Sequence, residues 1–325
     1  MKKPIVNFKL TSTDNMIFFT QVLDRKGVPW KHIAEKLRLP TNLYDYEQWI
    51  PLEVFSLFID KMTPQIGEAF GVEVGKSTHS VLIDKHLICV FDESPSVEKL
   101  AVEVMTRSHQ ITRHVDYWLE KKQGRWFLCN KGRVRSSYPG YAQIEWFRVS
   151  MLIELFRNVL GSHWCPETIL MMTSAHLGQE SKKHFHKANV EFDCLYSAID
   201  LPISADFIPF PVLAKRINLL TEVTLLASTY AHLPNFGIEW ASSLIGVSRK
   251  TLQRHLSKHN TDFREIREQA RENTAIELLT TSTLPIEDIA YRLGYSDLAN
   301  FSRGFYKRVG FRPAEYRKRC AEKIF

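Results

Sequence analysis

A repeat near the C-terminal end constrains this chain more than any other feature. IEWASSLIGVSRKTLQRHL starts at Ile238, and IEDIAYRLGYSDLANFSRGF starts at Ile286, 48 residues later. In the first copy Ile238, Ala241, Ser242 and Ile245 fall at i, i+3, i+4 and i+7; in the second, Ile286, Ile289, Ala290 and Leu293 do the same. Each set predicts one buried helix face. Gly246 and Gly294 follow, and glycine readily takes the left-handed conformation that closes a helix sharply. Two residues on stand Ser248 and Ser296, whose hydroxyls are predicted to cap the free N–H groups of a new helix. A helix, a short turn with glycine and a capped second helix make a helix-turn-helix, predicted here over residues 238–259 and again over 286–309.

The second helix of each copy has to divide its faces. Leu252 and Leu256 are spaced to point inward, which leaves Arg249, Lys250, Gln253 and Arg254 outside. Phe301 and Phe305 form the inward pair of the second copy, with Asn300, Arg303 and Lys307 outside. Arg, Asn and Gln make paired hydrogen bonds to base edges, so these outward residues are candidate contacts to double-stranded DNA. One short helix pair is ordinary packing; two with matching glycines, serines and outward arginines point to a shared task. Between them TDFREIREQARENTAIELLTTS reads as one long helix. About 20 residues span about 30 Å, close to the ~34 Å between successive major grooves on one face of DNA. Charge agrees with a polyanionic partner: from Phe236 onward there are 16 Lys and Arg against 11 Asp and Glu, whereas the remainder holds 27 against 25.

These residues resemble the AraC/XylS family of bacterial regulators. IAYRLGYSDLANFSRGFYKRVGFRPAEYR, residues 289–317, carries the family's opening, its aromatic core around Phe301, Arg303 and Phe305, and its closing Gly310, Pro313, Tyr316 and Arg317. Arg271, Ala275, Leu278 and Leu279 fit the family's linker helix. The resemblance runs from about Leu219 to Arg319. It implies a seven-helix domain whose third and sixth helices enter the major groove. Lys250, Gln253 and Arg254 would then face bases in one groove, and Ala299, Asn300 and Arg303 in the next. Leu298 and Ala299 are apolar where a polar reader could stand, which implies contact with thymine methyls or no specific reading there.

The chain's 325 residues leave room for a second domain. Pro202, Pro209 and Pro211 interrupt LPISADFIPFPV, which cannot continue a helix. The expected organisation is an α+β domain over 1–205, a linker over 206–216 and an all-α domain over 217–325. Within the first, residues 14–106 read as mostly helical. RWFLCN, GRVRSS and TILMMTSAHL read as short strands, with a helix across IEWFRVSMLIELFRNVLG, and NVEFDCLYSAID adds one or two more strands. This region resembles, on looser cues of length, helical start and NVEFDCLYSAIDLP, the sensor domain of a family subset known as arabinose-binding. That likeness implies a small organic effector, a homodimer and activation of transcription, with RNA polymerase as a further partner. A domain that docks a protein rather than a ligand is the alternative.

Other classes find little support. The five cysteines (Cys89, Cys129, Cys165, Cys194 and Cys320) are scattered with no C-x-x-C pair, which argues against a disulfide framework or a zinc finger and for a reducing compartment. MKKPIVNFKLTSTDN has no apolar signal-peptide core, and no apolar run approaches a membrane span, so a cytoplasmic chain without membrane contact is expected. A metal-dependent enzyme would need His184 and His186 on one face of a strand, with His176 nearby, but no acidic ligand stands at suitable spacing. There is no G-x-S-x-G, P-loop or H-E-x-x-H. No catalytic residue, metal or cofactor is therefore assigned. Trp126, Tyr138, Tyr141 and Trp146 could line a ligand pocket but read first as ordinary core, since large aromatics dominate cores. Arg133, Arg135 and Arg148 fit an acidic ligand or solvated faces equally, so no ligand residues are named.

Overall fold

The computed structural model describes residues 10–43, 48–78, 96–108, 112–209 and 218–322. They form two compact units. The described residues of Lys9–Thr41 and Ile50–Lys215 make one; those of Arg216–Phe325, joined by those of Asn42–Trp49, make the other. The predicted linker lies outside the described residues from 210 onward, as does residue 217, where the helical domain was expected to start.

The N-terminal unit is α+β. Its elements begin with β1 (Leu10–Ser12), α1 (Thr13–Arg25) and α2 (Lys31–Lys36). After β2 (Trp49–Pro51) come α3 (Leu52–Ile66), α4 (Phe70–Lys76) and α5 (Val97–Arg107). Next are β3 (Val115–Lys122), β4 (Arg125–Gly132), α6 (Tyr141–Leu160), β5 (Thr168–Leu170) and α7 (Ala175–Lys182). A single 3₁₀ turn over Lys183–Phe185 leads to β6 (Asn189–Glu191) and β7 (Ser197–Leu201). The sheet runs β3-β4-β7-β5-β6, antiparallel except for the β5–β6 pair.

The central element is α6, buried on almost every side from Tyr141 to Phe156. A helix buried on all sides belongs in a core, and α6 takes the polar Gln143, Glu145 and Arg148 in with it. Val149, Ile153 and Phe156 join one cluster with Leu128, Ile169 and Ile199 of the sheet, and the Trp146 ring stacks on Phe185 with centroids 5.5 Å apart. α4 meets α6 at backbone distance: a Cβ on Gly71 would lie 2.0 Å from the Gln143 carbonyl oxygen.

Several sequence expectations are corrected here. GRVRSS is not a strand; β4 ends at Gly132 and the chain turns through Arg133–Ser137. Of TILMMTSAHL only Thr168–Leu170 is extended, and Ala175 opens α7. HFH lies on the 3₁₀ turn and the residue after it, so His184 and His186 do not share a strand face. β3 was not anticipated, because Asp116, Glu120 and Lys122 place charge along one face of this edge strand.

The C-terminal unit contains seven helices among its described residues. They are α8 (Leu219–Tyr230), α9 (Ile238–Ile245), α10 (Arg249–Ser257), α11 (Phe263–Thr281), α12 (Ile286–Arg292), α13 (Leu298–Val309) and α14 (Pro313–Glu322). Rings of Tyr230, Phe236, Trp240 and Phe263 form the core under the first repeat. Tyr295, Phe301, Phe305 and Tyr316 do so under the second. The described end of the Asn42–Trp49 segment is tied to α8: the Thr229 hydroxyl accepts from the Trp49 N–H at 2.7 Å and donates to the Trp49 carbonyl at 2.8 Å.

Gly246 and Gly294 both take the left-handed conformation, at φ 76° and 77°, but they are not equivalent. A Cβ on Gly246 meets nothing within 4 Å, whereas one on Gly294 would lie 2.0 Å from the His232 carbonyl oxygen. Gly246→Ala should therefore cost only the left-handed penalty, about 1–2 kcal/mol. Gly294→Ala adds a backbone clash and should cost on the order of 3 kcal/mol or more. Urea unfolding of the two variants measures the difference; equal losses would contradict the close approach at His232.

Candidate nucleic-acid interface

Each repeat is a helix-turn-helix in the structure. Ala241, Ser242 and Ile245 are the buried face of α9, and Ile289, Ala290 and Leu293 close the equivalent face at α12. Ile238 and Ile286, at the helix starts, are half-buried. The second helices divide as their spacing requires: Leu252 and Leu256 of α10 and Phe301 and Phe305 of α13 are buried. Arg249, Lys250, Gln253, Arg254, Ala299, Asn300, Arg303 and Lys307 are all exposed.

The two turns differ in one residue, and the caps differ with them. After Gly246 come Val247 and Ser248, and the Ser248 hydroxyl accepts from the Thr251 N–H at 3.1 Å. After Gly294 come Tyr295, Ser296 and Asp297, and the cap is Asp297, not Ser296. Its carboxylate accepts from the Asn300 N–H at 2.6 Å. The extra residue carries Ser296 out of the cap position; its hydroxyl instead donates to Asp297 Oδ2 at 3.0 Å. The Asn300 N–H, and then the Ser296 hydroxyl, hold the Asp297 carboxyl below the usual carboxylate range.

The eight candidates are not equally free. Arg249 is paired with Glu239 at 2.6 Å. Lys250, Gln253 and Arg254 make no ion pair or side-chain hydrogen bond among the described residues, so α10 presents an uncommitted donor set. On α13, Asn300 donates through Nδ2 to Ser296 at 3.2 Å and accepts from Arg303 at 2.5 Å. Arg303 is thus held by Asn300 in an orientation fixed before any DNA arrives. Leu298 is 39% exposed at the start of the same helix. Arg308 is withdrawn from the surface set: it pairs with Glu265 and Glu272 of α11 at 2.8 and 2.5 Å.

Arg271 was placed on the linker helix by resemblance, but its contacts and those of Arg267, which fix the two helix-turn-helix units relative to each other, escaped the sequence reading. Arg267 of α11 donates to the carbonyls of Ala231 and Leu233 at 3.0 and 2.9 Å. Arg271, one turn on, also donates to the Ala231 carbonyl at 3.0 Å. The Ala231 carbonyl is at the C-cap of α8, and cationic donors suit that end of a helix; the Leu233 carbonyl, two residues on, also accepts from the Phe236 N–H at 3.1 Å. The Arg271 guanidinium also lies 5.1 Å from the Tyr295 ring centroid, in the turn of the second unit. The end of α8, the linker helix and the second turn therefore meet at one point, where Gly294 touches His232. Arginines four apart on a long helix, both half-buried in the structure, were the signal.

The arrangement defines a class, a helical domain with two helix-turn-helix units on one connecting helix. A family described as "Helix-turn-helix domain" matches residues 241–319. The ornithine utilization regulator of Pseudomonas aeruginosa is 37% identical over 102 residues, 31% of this chain and 30% of that protein. The arabinose operon regulatory protein of Escherichia coli is 40% identical over 109 residues, 33% of this chain and 37% of that protein. The chain thus matches about a third of the length of these curated relatives. The crystal structure of transcriptional regulator CdpR from Pseudomonas aeruginosa aligns with 94% of this chain and 98% of its own at 15% identity, with a TM-score of 0.39. That alignment is too loose to carry an argument. The likeness lies in the C-terminal domain, which is similar to the matching third of these regulators.

Arg254 and Arg303 stand at equivalent outward positions and suit bidentate base readout. Arg254→Ala and Arg303→Ala should each weaken binding to a selected DNA site by about 1–3 kcal/mol and scrambled DNA much less. Arg249→Ala should cost less than Arg254→Ala, since Arg249 must first leave Glu239. Titrations on both DNAs test this; equal losses on the two would assign the arginines to phosphates.

Proposed function

We propose that the chain is a sequence-specific DNA-binding transcription regulator that reads two successive major grooves with α10 and α13. The observation that carries this reading is the pair of helix-turn-helix units in one helical domain, each with a buried inner face and an exposed row of Arg, Lys, Asn or Gln. α11, at 19 residues, is about 28 Å long by its rise per residue, close to the groove repeat. The excess of positive charge after Phe236 supports electrostatic attraction to phosphates. The likeness of the C-terminal domain to the ornithine utilization and arabinose operon regulators supports a role in transcription. No helix among the described residues is long and apolar enough to cross a membrane.

The finer reading is control by a small organic effector bound in the N-terminal unit, with the chain acting as a homodimeric activator. An α+β unit with its own core beside a complete DNA-binding domain supports a sensor. Ligand control requires that the effector bind one state of the protein better than another. Linking two DNA domains in a dimer raises affinity at paired sites through effective concentration, without new base contacts.

Footprinting of the full chain on an enriched genomic site should protect two major-groove patches about 10 base pairs apart on one face. Affinity should fall steeply with salt as phosphate contacts release counterions. A single patch, or affinity indifferent to salt, would overturn the reading.

A further inference from the structure

Polar side chains buried on α6 have to find partners, and they do so unequally. Gln143 accepts from the Gly71 N–H at 2.8 Å and donates to the Glu68 carbonyl at 2.9 Å. The Glu145 carboxylate accepts from the N–H groups of Met172 and Thr173 at 2.7 and 2.8 Å, and also from the hydroxyls of Thr173 and Ser197. Both are saturated by the protein. Arg148, one turn further, is 5% exposed, donates to Asn130 Oδ1 at 2.8 Å, and has no carboxylate within ion-pair distance among the described residues. A buried guanidinium without a counter-charge costs several kcal/mol, so its persistence calls for a reason.

Arg148 lines a cavity of about 70 Å³ inside the N-terminal unit, bounded by α1, α3, α5, β3 and α6. At roughly 10–15 Å³ per water, that is room for on the order of five waters, or a ligand with a comparable number of heavy atoms. Most of the wall is apolar: Leu52, Phe55, Val104, Phe147, Leu152 and Leu155 contribute to it. Thr11, Asn15, Ser108, Thr112, His114 and the Glu103–Arg107 pair also reach the wall. His114 is buried, and burial with the Arg148 charge pushes its imidazole down to about 3, so it is neutral near pH 7. Its Nδ1 lies 2.8 Å from the Thr112 hydroxyl. The other cation on the wall, Arg107, is already paired with Glu103 at 2.5 Å.

We propose that this chamber is the effector site and that it takes a small monocarboxylate with an apolar body, its carboxylate on Arg148 and its body among the side chains of α3, α5 and α6. This deepens the effector-controlled reading above and rests on it. One anion supplies the counter-charge that Arg148 lacks, through the paired hydrogen bonds a guanidinium favours. The wall offers no free partner for a second charge at the far end of the ligand, since its own carboxylate, Glu103, is already paired with Arg107, and burying a charge unpaired is costly.

Calorimetric titration of the full chain tests the site directly, with butanoate and hexanoate, the corresponding alcohols, and 6-aminohexanoate as probes. At least one carboxylate should bind about tenfold or more tighter than its alcohol, and hexanoate should bind better than 6-aminohexanoate. Arg148→Met should remove the preference for carboxylate over alcohol. Val104→Phe, which fills the chamber from α5 and leaves Arg148 in place, should abolish binding of all probes without lowering the melting temperature. Alcohols binding as well as acids, or carboxylates binding Val104→Phe unchanged, would overturn the proposal. DNA affinity measured separately with and without the bound acid distinguishes the two claims. An acid that binds at Arg148 and leaves DNA affinity unchanged supports the site and overturns effector control. DNA affinity that responds to cell metabolites while no acid binds Arg148 overturns the site and leaves effector control standing.

Discussion

Two arginines on one helix set the geometry of the DNA-binding domain. Arg267 and Arg271 bond the Ala231 carbonyl at the C-cap of α8, Arg267 also bonds the Leu233 carbonyl just beyond it, and Arg271 covers Tyr295 in the second turn. Short helix pairs of seven to twelve residues are marginal on their own, because helix formation is cooperative with a costly nucleus. Their stability comes from packing onto α11, whose buried stripe runs through Ile266, Ala270, Thr274, Ala275, Leu278 and Leu279. The arginines add direction to that packing. With Gly294 pressed on His232, neither unit can rotate about α11 without losing a charge-assisted hydrogen bond or a close backbone contact. Arg308 on Glu265 and Glu272 fastens α13 to the same helix from the other side.

The N-terminal unit is organised around a central helix that carries polar residues inward. Where partners come from the protein, as for Gln143 and Glu145, those residues join α6 to α4, to the chain at Met172–Thr173 and to β7. Such bonds fix the register of the helix, since each buried polar group left unmade costs about 1–3 kcal/mol. Where the protein supplies too little, as at Arg148, a cavity lies in front of the side chain. The contrast along one helix is more informative than either feature alone, since apolar cavities and buried arginines each occur for structural reasons.

The repeat was legible because it is local. Period, glycine, cap and outward polar row all fall within about twenty residues, and each rests on backbone geometry that needs no tertiary partner. The one error there, Ser296 for Asp297, came from aligning the second turn on the first although Tyr295–Ser296–Asp297 is a residue longer. What the sequence hid is non-local. The roles of Arg267 and Arg271 depend on carbonyls some 36 and 40 positions away. Arg148 was one of three arginines equally open to an acidic ligand or solvent, and only its burial on α6 separates it from Arg133, which pairs with Asp116 at 3.2 Å. In the α+β unit, three-residue strands such as Thr168–Leu170 and Asn189–Glu191 are too short to show a period, so their order in the sheet had no sequence signature.

The central claim is that α11, through Arg267 and Arg271, holds α10 and α13 for simultaneous reading. The direct measurement compares the wild type with the Arg267→Met, Arg271→Met double variant on a two-groove site and on a half-site read by one unit, with circular dichroism confirming the fold. The account predicts a loss of about tenfold or more on the two-groove site, with half-site affinity nearly unchanged. Equal affinity of the two proteins on the two-groove site, or equal losses on both DNAs, would contradict it.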